Sequence, residues 1–83
     1  MQSIQTAPLK SDAVASAESQ ALATQAAEDL AEQRFDAVRA ELAAHGKAQE
    51  ATGSPEFREW MAARVKTDEA WGRWAMAVDA LQG

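Results

Sequence analysis

The amino-acid sequence predicts an all-α fold, an antiparallel hairpin of two long helices. The first helix is predicted over about residues 11–45, a stretch of good helix formers without Gly or Pro. A second helix is predicted over about 55–82, where apolar residues recur with a helical period. The short polar connection at 47–53 makes the two helices antiparallel neighbours. We therefore expect one helical domain over 11–83, preceded by a polar, extended arm over 1–10.

Residues that favour helix ends flank the first predicted helix. Ser11 is a suitable N-cap, because its hydroxyl can accept a hydrogen bond from a backbone N–H of the first turn. Gly46 suits the left-handed position that follows many helices. His45 would place a cation near the negative end of the helix dipole. These residues predict where the helix begins and ends.

The two halves of the first helix differ in their apolar pattern. In the second half, four apolar residues recur at spacings of four, three and four, which predicts a seam that faces the second helix. They are Ala31, Phe35, Val38 and Leu42. In the first half, Val14 and Leu22 do not continue this seam if each residue turns the helix by 100°. We therefore predict an alanine-surfaced rod with no strong inward face over the first half.

The second helix has a strong start signal. Ser54 is a suitable N-cap, Pro55 suits the first helical position, and Glu56 suits the first turn. The apolar residues that follow keep one helical phase; they are Phe57, Trp60, Met61, Trp71, Trp74, Ala75, Val78 and Leu81. A third helix could instead begin at Thr67, which caps well and precedes two acids. The continuous phase favours one helix.

Large apolar side chains are scarce in this chain of 83 residues. Apolar residues make up 47% of it, but alanine supplies about half of them and buries little area per residue. Four of the five aromatic residues lie in the last third. Because two alanine-rich helices remove little apolar surface from water, we expect the chain to complete its folding on a partner surface.

Composition excludes several classes of function. The absence of cysteine excludes disulfides and thiolate metal sites. Residues 1–10 lack the apolar core of a signal peptide, and no segment approaches the ~20 apolar residues of a membrane span. We therefore expect a cytoplasmic protein, or one within a particle assembled in the cytoplasm. The net charge of −5 disfavours direct binding to nucleic acid or to membranes, so the predicted partners are other protein subunits.

The sequence offers little for catalysis. His45 is the one histidine and is predicted to be a helix-end cation, and the four glycines are scattered singly rather than forming a phosphate loop. Glu28, Glu32 and Asp36 are stacked at successive turns, with Asp29 beside them, but no Glu-x-x-His element accompanies them. We expect a solvated acidic face, and predict no enzyme activity, no cofactor and no metal.

Two surfaces are candidates for docking a protein partner. The first is acidic, because five acids and no base lie between residues 11 and 33; the proposed contacts are Glu28, Asp29 and Glu32. The second is aromatic and cationic, a composition common at interface hot spots; it comprises Trp60, Trp71, Arg73 and Trp74. Each has a simpler interpretation, since surface acids maintain solubility and aromatic stripes are usually core.

These patterns favour a non-enzymatic helical protein that docks on a larger protein assembly or self-associates. A small structural or accessory component of a phage virion or similar particle would have this character. The alternative is a small acidic inhibitor, antitoxin-like or anti-defence, that blocks a basic surface of its target. The two hypotheses differ in what they expect of the isolated chain. The first expects a poorly folded or oligomeric chain, and the second expects a stable monomer.

Overall fold

A computed structural model describes residues 10–82, which form an all-α antiparallel hairpin. Helix α1 spans Lys10–Ala44, a 3-10 helix spans Ala48–Gly53, and helix α2 spans Pro55–Gln82. The two long helices pack against each other along their length, as the sequence predicts. The predicted arm over residues 1–9 lies outside the described residues. Neither described helix has a stretch long and apolar enough to span a membrane.

The start of α1 differs from the prediction by one residue. The helix begins at Lys10, so Lys10 does not belong to an arm and Ser11 lies in the first turn rather than at the N-cap. Lys is a better helix former than Ser, and the earlier start still leaves Asp12 in the first turn near the positive end of the dipole.

The end of α1 is a glycine-terminated cap. Gly46 adopts φ +72, the left-handed conformation that a side chain would disfavour. The backbone N–H of Lys47 donates to the carbonyl of Leu42 at 2.7 Å, and that of Gly46 donates to Ala43 at 3.0 Å. These two bonds satisfy carbonyls that the helix itself leaves unpaired. His45 Nδ1 lies 2.9 Å from the carbonyl oxygen of Glu41 and is the donor of that bond.

Helix α2 begins as predicted and does not break. The backbone N–H of Phe57 donates to Ser54 Oγ at 3.2 Å, which confirms Ser54 as the N-cap. Thr67 lies inside the helix and is buried, and its hydroxyl donates to the carbonyl of Ala63 at 3.1 Å. Because the preceding turn satisfies this hydroxyl, Thr67 does not cap a new helix.

The face of α1 that packs on α2 runs through both halves of the helix and is rich in alanine in the first half, as predicted, but the placement of Val14 off the seam is wrong. Buried and half-buried residues recur at alternating spacings of three and four; they are Val14, Ala17, Ala21, Thr24, Glu28, Ala31, Phe35, Val38 and Leu42. This repeat has the 3.5-residue period of helices that wrap around each other, whereas a straight helix drifts by ~20° per heptad. The prediction counted 100° per residue, as in a straight helix, and that count places Val14 outside this face. Leu22 does lie off it and is exposed.

The buried interior of the hairpin consists mostly of small residues. The buried residues are Ala21, Ala31, Phe35, Ala51, Thr67 and Ala70, and no described side chain is completely buried except small ones. The radius of gyration is 18.9 Å, whereas a compact chain of this length would have about 12 Å. The hairpin is a single layer of helices, so each helix packs along one side only.

Candidate protein-binding face

Three aromatic rings pack together at the turn end of the hairpin. Phe35 of α1 stacks on Trp60 of α2 with ring centroids 5.2 Å apart, and its centroid lies 5.3 Å from that of Phe57. Trp60 and Phe57 meet edge to face at 6.2 Å. Phe35 is buried at the centre of this group, which confirms that the apolar seam of α1 faces these residues. We call Phe35, Phe57 and Trp60 the turn cluster.

Trp60 is committed to the turn cluster. Its Nε1 atom is buried and has no hydrogen-bond acceptor, and the guanidinium of Arg64 lies 5.9 Å from its ring centroid. On the other helix, the guanidinium of Arg39 lies 5.7 Å from the ring of Phe35. Each guanidinium thus lies over one ring of the cluster and makes a cation–π contact with it. Trp60, one of the predicted docking residues, is thus engaged by contacts within the hairpin.

The other two tryptophans form a pair near the open end. Trp71 and Trp74 meet edge to face with centroids 5.5 Å apart, and both are half-buried. The register set by Phe35 opposite Trp60 places Ala21 level with Trp74. Ala21 is completely buried, so a large side chain packs here on a small one. An alanine covers little of an indole, and part of each ring stays accessible.

One hydrogen bond connects the tryptophan pair to the acids of α1. Trp71 Nε1 donates to Gln25 Oε1 at 3.1 Å across the helix pair. Gln25 lies seven residues after Glu18, four before Asp29 and seven before Glu32, which places all four side chains on one flank of α1. The acidic surface and the Trp71 part of the aromatic surface therefore belong to one face. We call Glu18, Gln25, Asp29, Glu32 and Trp71 the acidic–indole face.

Among the described residues, the acids of this face form no ion pair. Arg39 Nη2 and Asp36 Oδ1 form an ion pair at 3.1 Å, one turn beyond Glu32. Within residues 10–82, no base forms an ion pair with Glu18, Asp29 or Glu32. Without such ion pairs, these acids give this side of the hairpin an excess of negative charge beside the indole.

The prediction of a fully solvated acidic ladder is partly wrong. Glu28 lies in the seam itself and is half-buried, and Glu32 beside it is also half-buried, whereas Asp29 and Asp36 are exposed. The helix register places Glu28 level with Thr67, so the middle of the seam is polar. With a 3.5-residue repeat, Glu28 falls on the face of α1 that packs on α2, which explains why it is not solvated as predicted. Among the described residues, no group of three or more His, Cys, Asp or Glu side chains could hold a metal ion.

Arg73 does not join the acidic–indole face. It lies two residues after Trp71, about 200° around the helix axis, and it is exposed. Trp74 is near the seam and contacts Trp71 rather than standing apart on a partner surface. The structure therefore separates the residues predicted as one aromatic and cationic group: Trp60 in the turn cluster, Trp71 on the acidic face, and Arg73 on the outside.

Three residues on this side of the hairpin were not predicted as docking residues. Gln25 is a neutral residue in an alanine-rich run, and nothing in its local sequence indicates that it bonds to an indole. Met61 and Val78 of α2 are half-buried on the side of the helix that carries Trp71. A heptad count along both helices would have placed all three beside the seam.

Two shallow grooves lie elsewhere on the hairpin. One, of about 290 Å³, lies between the helices; its lining residues are Thr24, Ala27, Glu59, Ala62, Ala63 and Lys66. The other, of about 380 Å³, lies at the turn end; its lining residues are Val38, Glu41, Leu42, His45 and Lys47. Each groove contains both an acid and a base, so neither has the one-sided charge of the acidic–indole face.

Comparison with known proteins does not connect the chain to a described group. No family model, no curated protein and no solved structure matches it.

Proposed function

We propose that this chain is a non-enzymatic helical interaction protein, which docks on a larger protein assembly or associates with copies of itself. The observation that supports it is the single-layer hairpin, in which each of the three tryptophans stays partly exposed. A tryptophan is among the side chains with the most surface to bury, and it is enriched at interface hot spots. A second layer of protein would cover what the hairpin leaves accessible.

The outer surface of the hairpin supports the same proposal. Leu22 and Leu30 of α1 are 51% and 49% exposed. Met76 of α2 is 73% exposed. Single exposed apolar residues are normal on any protein, but here they accompany a core made of alanine. Much of the apolar surface of this chain is thus left for contacts with other chains.

A small structural or accessory component of a multi-protein particle, such as a phage virion, is the setting we propose. A hairpin with one long seam, polar in its middle, and with accessible outer faces suits a position between larger subunits. In such a position, contacts with neighbours supply the burial that a two-helix layer lacks.

The unpaired acids of α1 favour a second candidate, an acidic inhibitor that blocks a basic surface of its target. Glu18, Asp29 and Glu32 have no ion-pair partner within the described residues, and such a charge pattern would steer a basic protein toward this side. An inhibitor of this kind would act as a stable monomer before it meets its target.

Sedimentation and thermal unfolding of the isolated full-length chain test the proposal. We expect an oligomer or a poorly folded chain, whose helical circular dichroism depends on protein concentration. A compact monomer that melts cooperatively at low micromolar concentration would contradict the interaction-protein proposal and favour the inhibitor. Repeating sedimentation over a range of salt concentrations separates apolar from electrostatic self-association, because only the second weakens as salt rises.

A further inference from the structure

We propose that the acidic–indole face binds a basic amphipathic helix of another protein, which packs as a third helix against α1 and α2. This inference rests on the proposed function and adds the chemistry of the partner. The observation behind it is the hydrogen bond from Trp71 Nε1 to Gln25 Oε1, which brings the accessible indole and the unpaired acids together.

The apolar part of the contact would come from α2. Trp71 is half-buried, and Met61 and Val78, on the same side of the helix, are half-buried as well. The Nε1 donor of Trp71 is already occupied by Gln25, so the indole offers a partner its ring surface and edge rather than a polar atom. Leucine-like residues on one side of a docked helix would match this row, as an apolar helix face matches an apolar groove.

The charged part of the contact would come from α1. Glu18, Asp29 and Glu32 lie along one flank, and at 1.5 Å per residue the row extends over about 21 Å. Lysine or arginine residues at every third to fourth position of a neighbouring helix would follow the same line. Arg64, the base of α2 nearest in sequence to Trp71 on that side, is engaged over the ring of Trp60. By the register of the Trp71–Gln25 bond, Arg64 lies level with Glu32 but forms no ion pair with it, so the acids stay in excess on this flank.

Charge argues against a second copy of the chain as the occupant. A copy would bring its own acidic flank and a net charge of −5. The exposed bases of α2 are Arg58, Arg64, Lys66 and Arg73. They are interleaved with the exposed acids Glu59, Asp68 and Glu69, so they do not form a continuous basic row that would match the acids. The same sign of charge disfavours nucleic acid. A basic helix from a different protein fits both the charge and the apolar row.

A synthetic peptide provides the probe. The peptide is an amphipathic helix of about three heptads, with leucine on one side and lysine on the adjacent side, and its control carries glutamate in place of every lysine. Binding to the full-length chain is followed by the indole N–H signals in ¹⁵N-correlated NMR spectra, assigned by single Trp→Phe substitutions. We expect the lysine peptide to shift the signal of Trp71, to leave that of Trp60 nearly unchanged, and to bind at least about tenfold more weakly at high salt.

Two double variants with the same change of net charge make the test specific. Glu18→Lys with Asp29→Lys reverses two exposed acids of the face, and we expect it to weaken peptide binding at least about tenfold. Glu50→Lys with Glu59→Lys reverses two exposed acids away from the face, and we expect less than about a threefold change. Circular dichroism of both variants checks that each retains the helix content of the parent.

Any one of the following outcomes would overturn the proposal. Equal weakening by the two double variants would mean attraction by net charge without a site. Failure of the lysine peptide to bind at low salt, or equal binding of the glutamate peptide, would remove the basic partner. Loss of self-association in Glu18→Lys with Asp29→Lys would assign the face to a second copy. None of these results would contradict the proposed function, which sedimentation of the unmodified chain tests separately.

Discussion

The turn end and the open end of this hairpin use aromatic residues in different ways. At the turn end, Phe35 of α1 inserts against Phe57 and Trp60 of α2, so large side chains from both helices meet. At the open end, both large side chains, Trp71 and Trp74, come from α2 and α1 contributes alanine. The first arrangement buries a phenylalanine, and the second leaves two indoles half-buried.

This difference shows how a two-helix protein divides its stability and its accessible surface. A ring packed between two others loses water on both faces, whereas a ring packed on an alanine loses water on one. The turn cluster, next to a well-capped connection, therefore holds the helices together. The tryptophan pair adds less to the stability of the isolated hairpin and keeps surface for a partner. Three mutational experiments test this division.

The largest effect is expected at the turn cluster. Phe35→Ala should lower the free energy of unfolding by about 3–5 kcal/mol, because it removes the central ring and leaves a cavity. Trp74→Ala at the open end removes a larger side chain but should cost less, roughly 2 kcal/mol, because that indole is only half-buried. Urea unfolding followed by circular dichroism, at one protein concentration, measures both. Equal losses would show that the two ends contribute alike.

A smaller effect is expected from filling the space at the open end. Ala21→Leu should destabilise the hairpin by about 1–3 kcal/mol, because Ala21 is completely buried and lies level with Trp74. Ala23→Leu is the matched control, since Ala23 is exposed, and should change stability by less than about 0.5 kcal/mol. If Ala21→Leu instead stabilised the chain, the small residue would not be required for packing there.

The smallest effect is expected from the bond that joins the two helices at the acidic–indole face. Trp71→Phe removes the Nε1 donor, and Gln25→Ala removes the acceptor. A double-mutant cycle on these two positions should give an interaction energy of about 0.5–1.5 kcal/mol. Thermal unfolding of the four proteins supplies it. An interaction energy near zero would mean that the bond orients the indole without stabilising the hairpin.

Much of the secondary structure was accessible from the sequence because it depends on neighbours a few residues away. The cap at Ser54 uses the N–H of Phe57, and the end of α1 uses carbonyls within one turn of Gly46. The continuity of α2 followed from an unbroken helical phase. The start at Lys10 was missed by one residue, since Ser11 is an acceptable cap and local preference there is weak.

The candidate site was accessible only in parts. The acids of α1 and Trp71 were each predicted as contacts, but Gln25 carries neither charge nor aromatic ring and was missed. Arg73 and Trp60 were assigned to the same surface as Trp71, but Trp60 lies in the turn cluster and Arg73 lies on the outside of the hairpin. Glu28 was expected on a solvated face, whereas it lies in the seam.

The sequence by itself determined that the chain forms two long helices, where they end, and that they run antiparallel. Those properties follow from backbone hydrogen bonds and propensities over a few residues, and from the shortness of the connection. Only the tertiary structure decided which side of each helix faces the other. That choice depends on the rotation of each helix about its axis, which is set by side chains far apart in sequence that pack along a 3.5-residue repeat. The tertiary structure therefore also decided that Trp71 and the acids of α1 share one face.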